Sequence, residues 1–105
     1  MKRYYPFRRA ESPEEETGNP FTIVKAKKFA RVSQPENNLL ELVLENDKTR
    51  LQLFYGIFTE SLQRDFLREM GADNDEKRIV GKKVEGYENS GRVIWISPLN
   101  QSKEH

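Results

Sequence analysis

The sequence predicts a mainly β domain with one helix, and three observations carry that prediction. Apolar and polar residues alternate with a period of two in five segments, which is typical of strands with one buried face. One further segment repeats its apolar residues every four positions, as an amphipathic helix does. The chain of 105 residues has the length of one domain, and its 35% of hydrophobic residues allow a small core.

Three of the predicted strands precede the helix. Residues 21–32 are predicted to form a long first strand, and residues 39–45 and 49–55 a hairpin joined by a tight polar turn. The apolar face of the hairpin comprises Leu40, Leu42, Leu44, Leu51, Leu53 and Tyr55. The first strand has an apolar face at its even positions, interrupted by Lys28, and Phe, Ile, Lys and Arg at its odd positions. Because a bulge exchanges the two faces of a bent strand, the alternation leaves open which face is inside.

The helix and two final strands follow. Thr59 or Ser61 is expected to cap a helix that runs to about Met70, and Gly71 suits a left-handed C-terminal cap. The apolar face of this helix comprises Leu62, Phe66, Leu67 and Met70. Residues 82–87 and 92–97 are predicted as the fourth and fifth strands, joined by a hairpin turn that contains Gly91.

The resulting order, β-β-β-α-β-β, is that of an OB-fold, a small five-stranded Greek-key barrel. The long first strand suits this fold because such a strand bends and serves both halves of the barrel. An SH3-like barrel and an open α+β sheet have similar element counts and are the alternatives. We expect residues 21–98 to form a single OB-like domain, residues 1–20 a flexible N-terminal arm, and residues 99–105 a polar tail.

The composition excludes several classes of function. The chain has no cysteine, so disulfides, thiolate zinc sites and cysteine nucleophiles are excluded. Its one histidine is the last residue, His105, which leaves no Ser-His-Asp triad. Gly81-Lys82-Lys83 lacks the spacing of a phosphate-binding loop, and the acidic residues 73–76 lack that of a calcium loop. We therefore predict a protein that is not an enzyme and that needs neither a metal nor another cofactor.

Three stretches carry a resemblance to a known family: FTIVKAKKFARV…LLELVLEND, LQRDFLREMGA and IVGKKVEGYENSGRVIWISPL. From about residue 19 to residue 98 the chain resembles small phage- and mobile-element-encoded OB-fold proteins of the single-stranded-DNA-binding-like type. The resemblance implies an OB barrel that binds single strands. The chain departs from that family in its N-terminal arm and in lacking an acidic C-terminal tail, so recruitment of replication partners is not implied.

A basic and aromatic strand face is the predicted binding site, because phosphates attract Lys and Arg while unpaired bases stack on aromatic rings. The predicted nucleic-acid-binding residues are Lys25, Lys27, Phe29, Arg31, Arg50, Gln52, Phe54 and Trp95. Further contacts are predicted from the N-terminal arm, at Tyr4, Tyr5, Phe7, Arg8 and Arg9. The same pattern has a structural interpretation for Trp95, which would pack under the arm and make no contact with a base.

The predicted function is a single-stranded nucleic-acid-binding module, with DNA or RNA as the partner. The net charge of only +1 leaves a second hypothesis open. This is a protein-interaction module, such as a phage-encoded adaptor or an inhibitor of a host nucleic-acid enzyme, in which the acidic residues 11–16 and 73–76 contribute. No apolar run approaches the length of a membrane span, so no membrane partner is predicted and a cytoplasmic location is expected.

Overall fold

The computed structural model describes residues 2–10, 17–29 and 38–99. Within these residues the chain forms seven strands, one α-helix and one short 3-10 helix. The strands are β1 (Arg3–Tyr4), β2 (Arg9–Ala10), β3 (Asn19–Phe29), β4 (Leu39–Asn46), β5 (Gln52–Ile57), β6 (Lys83–Asn89) and β7 (Arg92–Pro98). The helices are α1 (Glu60–Glu69) and the 3-10 helix Glu76–Ile79. The protein is therefore mainly β with one α-helix, as predicted.

The described strands form a single antiparallel sheet in the order β2-β1-β7-β6-β3-β4-β5. The sheet is not closed, because among the described strands β5 pairs only with β4 and β2 only with β1. The sheet is curled, and one side chain of β5 reaches the strands near its other end. The Tyr55 hydroxyl on β5 donates its hydrogen bond to the carbonyl of Tyr4 on β1, and the carbonyl of Ile94 on β7 lies 3.4 Å from the same hydroxyl.

The core fills the space between the inner face of this curled sheet and α1. The predicted leucines of β4 and the predicted apolar face of the helix are all buried, which confirms these residues. Leu51, also predicted on the apolar face of the hairpin, lies before β5 and is 48% exposed. The largest fully buried core side chains are Tyr4, Phe21, Phe66, Ile23, Leu40, Leu42, Leu44, Ile57, Leu67, Ile79 and Ile96. Gly71, with φ of +75°, follows α1 in the left-handed conformation that the sequence predicts.

A bulge in β3 settles which face of this strand is inside. The register between β3 and β4 shifts between Ile23 and Lys25, so one extra residue stands in β3. Phe21 and Ile23 are fully buried before the shift, whereas Lys25 and Lys27 are exposed after it. The odd positions thus face the core first and solvent afterwards, because the extra residue inverts the period-two phase.

Residues 2–10, which the sequence predicted as part of the N-terminal arm, are called the N-terminal strap here. They contribute two short strands, β1 and β2, to the sheet. Tyr4 is fully buried, and its ring meets that of Phe66 edge to face at 5.2 Å. The Ser97 hydroxyl donates a hydrogen bond to the carbonyl of Lys2 at 2.6 Å. Tyr4 thus adds an aromatic ring to the core, while the glutamate-rich residues 11–16 lie outside the described residues.

An ion pair ties the turn after β4 to β3 and β6. Lys83 Nζ lies 2.7 Å from one carboxylate oxygen of Asp47, and the Thr22 hydroxyl donates to the other at 2.7 Å. These two hydrogen bonds hold the pKa of Asp47 below its ordinary value of 3.8. Asp47 therefore adds stability above about pH 4, and this stability is lost as the pH falls through the lowered pKa.

Replacing Asp47 with asparagine is expected to lower the free energy of unfolding at pH 7 by about 0.5–1 kcal/mol, since the pair is partly exposed. The difference between the wild type and Asp47→Asn should shrink at pH 3, where the wild-type carboxylate begins to protonate. Urea denaturation at both pH values measures it. Asp73→Asn, a change in an exposed loop carboxylate, is the control. Equal differences at pH 7 and pH 3 would contradict the assignment.

Candidate nucleic-acid interface

The outward-facing side chains of β3, β4 and β5 share one surface, which we call the outer face. Their register places Lys25 beside Val43 and Val43 beside Phe54 in one row across the three strands. The next row joins Lys27, Glu41 and Gly56, and β3 ends in the pair Phe29–Leu39. Because the leucines of β4 alternate with these residues and point into the core, the outer face is open to solvent.

Four phenylalanines form an aromatic stripe on this surface: Phe29, Phe54, Phe58 and Phe7. All six phenylalanines of the chain lie in the described residues, and only Phe21 and Phe66 belong to the core. Phe54 is 72% exposed, Phe7 70% and Phe29 39%. Exposing several large apolar rings on one small domain is unusual.

Phe58 and Phe7 continue the stripe past the end of β5. The ring of Phe58 lies against Gly56, where an added Cβ would be 3.4 Å from the ring and 2.9 Å from Leu39 Cδ1. Phe7, from the N-terminal strap, stacks on Phe58 with ring centroids 4.7 Å apart and an interplanar angle of 12°. A glycine at position 56 thus leaves room for the Leu39 side chain, and the Phe58 ring lies next to it.

The charges of the outer face are mixed. Lys27 Nζ lies 4.9 Å from the centre of the Phe29 ring, so a cation stands directly beside an aromatic platform. At the other end of the face, the Glu45 carboxylate forms an ion pair with Arg50 at 2.7 Å and accepts a hydrogen bond from Gln52 at 3.0 Å. Lys27 therefore lies beside a phenylalanine and Lys25 shares a row with Phe54, whereas Arg50 pairs with a carboxylate.

An open cleft of about 390 Å³ borders the outer face along the free edge of β5. Its far wall is the turn between β6 and β7, where Ser90 and Gly91 have φ of +57° and +79°. Arg92 lines this wall and Pro6 of the strap lines one end. The cleft occupies the gap that the unclosed sheet leaves between β5 and β7.

The structure brings most of the predicted strand residues together. Lys25, Lys27, Phe29, Gln52 and Phe54 lie on the outer face, and Arg50 lies at its edge in the turn before β5. Arg31 lies outside the described residues. These six predicted residues thus lie on or at the edge of one surface. That this surface binds nucleic acid remains a prediction.

Trp95 is not on that surface. It is 1% exposed and packs between the Arg3 guanidinium, 4.0 Å from the ring centre, and the Tyr87 ring, 6.0 Å away and tilted by 17°. The structure therefore corrects the prediction of Trp95 as a stacking platform. It matches the alternative in which the tryptophan packs under the N-terminal residues, because β1 adds to the sheet beside β7.

Of the predicted arm contacts, only some are accessible. Tyr4 lies in the core, and Arg9 pairs with Asp65 of α1 at 3.3 Å. Arg8 is exposed, with its guanidinium 4.2 Å from the centre of the Tyr5 ring. Phe7 is 70% exposed, although one face of its ring stacks on Phe58.

Sequence reasoning missed several members of the outer face: Phe58, Leu39, Val43, Glu41 and Glu45. A signal for Phe58 was present, because it shares the period-two phase of Phe54 across Gly56. Likewise, the odd residues of β4 must oppose its buried even leucines. The alternation that identified the core therefore also predicts that Glu41 and Glu45 lie on this face.

Within residues 2–10, 17–29 and 38–99, no group of three or more His, Cys, Asp or Glu side chains is placed to hold a metal ion. No helix in the same part of the chain is long and apolar enough to cross a membrane. The chain matches no protein-family model, no curated protein and no solved structure. The interpretation of the outer face consequently depends on its own geometry and chemistry.

Proposed function

We propose that the protein is a single-stranded nucleic-acid-binding module and that the strand lies across the outer face. The observation that carries this proposal is the aromatic stripe with two lysines beside it. Exposed rings offer stacking surfaces to unpaired bases of any sequence, and the lysines offer charge to the phosphates. Duplex DNA would not fit this chemistry, because its bases are already stacked and paired.

The strand order supports an OB-like barrel as the scaffold for this function. β3 pairs with both β4 and β6, β6 pairs with β7, and α1 lies between β5 and β6 in the chain. OB-folds bind oligonucleotides on the face of their second and third strands, which correspond here to β4 and β5. The outer face and the cleft beside β5 lie at that position.

A second candidate, a protein-interaction module, is favoured by the carboxylates of the outer face. Glu41 stands opposite Lys27, and Glu45 already engages Arg50 and Gln52. Carboxylates in the path of a strand repel its phosphates, whereas they are compatible with a protein surface. Aromatic rings are also enriched at the centres of protein interfaces. An adaptor or an inhibitor of a nucleic-acid enzyme would use the same stripe.

Fluorescence anisotropy with a labelled oligo-dT of about 30 nucleotides tests the proposal. We expect a dissociation constant in the micromolar range or tighter at 50 mM salt. Two to three phosphate contacts predict a slope of about −1.4 to −2.1 for log K against log salt, so 200 mM salt should weaken binding by about 7- to 20-fold. A duplex of the same length is the control. Flat anisotropy at both salt concentrations would overturn the proposal and leave the protein-interaction module.

A further inference from the structure

We propose that the N-terminal strap forms one end of the strand-binding surface, with Phe7 as a stacking platform for a base. This inference rests on the proposed function and extends it to a segment outside the five-stranded unit. It implies that the binding of a single strand and the docking of residues 2–10 stabilise each other.

Backbone hydrogen bonds fix the position of the strap beside β5. The amide of Tyr5 donates to the carbonyl of Arg8 at 2.9 Å, which closes the turn between β1 and β2. The amide of Phe58 donates to the carbonyl of Pro6 at 2.8 Å, which attaches this turn to the end of β5. Phe7 therefore stands at a defined place next to the outer face.

The orientation of the Phe7 ring suits a base better than a core contact. One face of the ring stacks on Phe58, and the residue is still 70% exposed. A ring with one face packed and the other in water loses little rotamer freedom when a ligand stacks on it. Such pre-organisation lowers the entropic cost of binding. Burial does not explain why a phenylalanine stands at this position, because the Phe7 ring contributes almost nothing to the core.

The path from the centre of the outer face to Phe7 is continuous. Phe54 and Phe58 are four residues apart in an extended segment, a distance of about 13 Å, with Gly56 between them. Phe7 lies a further 4.7 Å away, measured between ring centroids. Beyond it, Arg8 is exposed and can meet a phosphate. Arg8 therefore places a cation one residue from Phe7 at the strap end of the surface, with its guanidinium 4.2 Å from the centre of the Tyr5 ring.

The test compares oligo-dT binding by the wild type, Phe7→Leu and Phe7→Trp. Leucine keeps an apolar contact with Phe58 but removes the stacking surface, so we expect affinity to fall by about 5- to 20-fold. Tryptophan restores a ring and should restore affinity to within about twofold of the wild type. Val80→Ala, a change at an exposed apolar residue 47% accessible to solvent, is the matched control and should bind normally.

The emission of Trp95 in wild type, Phe7→Leu and Val80→Ala reports whether the strap remains docked, since Arg3 stacks on that ring. Normal emission with unchanged affinity in Phe7→Leu overturns the inference, provided that the wild type binds. Equal loss of affinity in Phe7→Leu and Phe7→Trp would also overturn it, because stacking would then not be the cause. Failure of the proposed function is a different result, namely no binding of oligo-dT by the wild type.

Discussion

Phe54→Ala is expected to weaken binding of oligo-dT by about 10- to 100-fold, the largest effect of any single change on the outer face. Each base stacked on an aromatic ring contributes about 1–3 kcal/mol. Phe54 is the most exposed phenylalanine, at 72%, and its row also holds Lys25. A base stacked on this ring would have a cation within reach of its phosphate. Anisotropy titrations at 50 mM salt measure the change.

The fold should survive this substitution. An exposed ring contributes little to the core, so the free energy of unfolding should change by no more than about 0.5–1 kcal/mol. Phe54→Trp is expected to bind at least as tightly as the wild type. If Phe54→Ala binds normally while Lys25→Glu does not, the surface attracts phosphates without stacking bases, and the aromatic part of the proposal fails.

The hairpin of β4 and β5 illustrates what local alternation predicts. Even leucines in β4 and Tyr55 in β5 point inward, as the period of two requires, and this fixes Phe54 and Gln52 on the opposite face. The helix is equally local, since Leu62 and Phe66 repeat at its own spacing. Both faces follow from one strand or one helix at a time, and the alternation failed only at Leu51, which lies before the first residue of β5 and is exposed.

The bulge in β3 could not be predicted from local alternation. Val24 is apolar and continues the even-numbered pattern, so nothing in the residue types marks the inserted position. The face of a strand is decided by pairing with its neighbours, and a one-residue shift inverts it. For that reason Lys25 and Lys27 could be assigned to one surface, while the inside of the strand could not be identified.

The environments of the Trp95 and Phe7 side chains were not predicted from the sequence, for a related reason. Both acquire their environments from contacts between the ends of the chain, where β1 pairs with β7 and Phe7 meets Phe58. Neither contact has a local signature in a two-residue strand such as β1. The tryptophan, predicted as a stacking platform, is buried beneath the strap, whereas Phe7, predicted as an arm contact, is exposed.

Tyr4→Ala is expected to lower the free energy of unfolding by about 3–5 kcal/mol, a large part of the stability of a domain this small. The side chain is fully buried against Phe66, and its burial raises the pKa of the hydroxyl above its ordinary value. Truncation leaves a cavity beneath β1, and the carbonyl of Tyr4 holds the hydroxyl of Tyr55 where the sheet curls over. Loss of the ring therefore weakens the contact between the two ends of the sheet.

Urea denaturation followed by the fluorescence of Trp95, the one tryptophan of the chain, measures this effect. Phe7→Ala, in the same strap but exposed, is the matched control and should cost less than about 1 kcal/mol. If Tyr4→Ala lowers the free energy of unfolding as little as Phe7→Ala does, residues 2–10 do not contribute to the stability of the domain, as the polarity of the neighbouring segment suggested. A loss of several kcal/mol would mean that the strap is a structural part of the domain, which the proposed coupling between strap docking and strand binding requires.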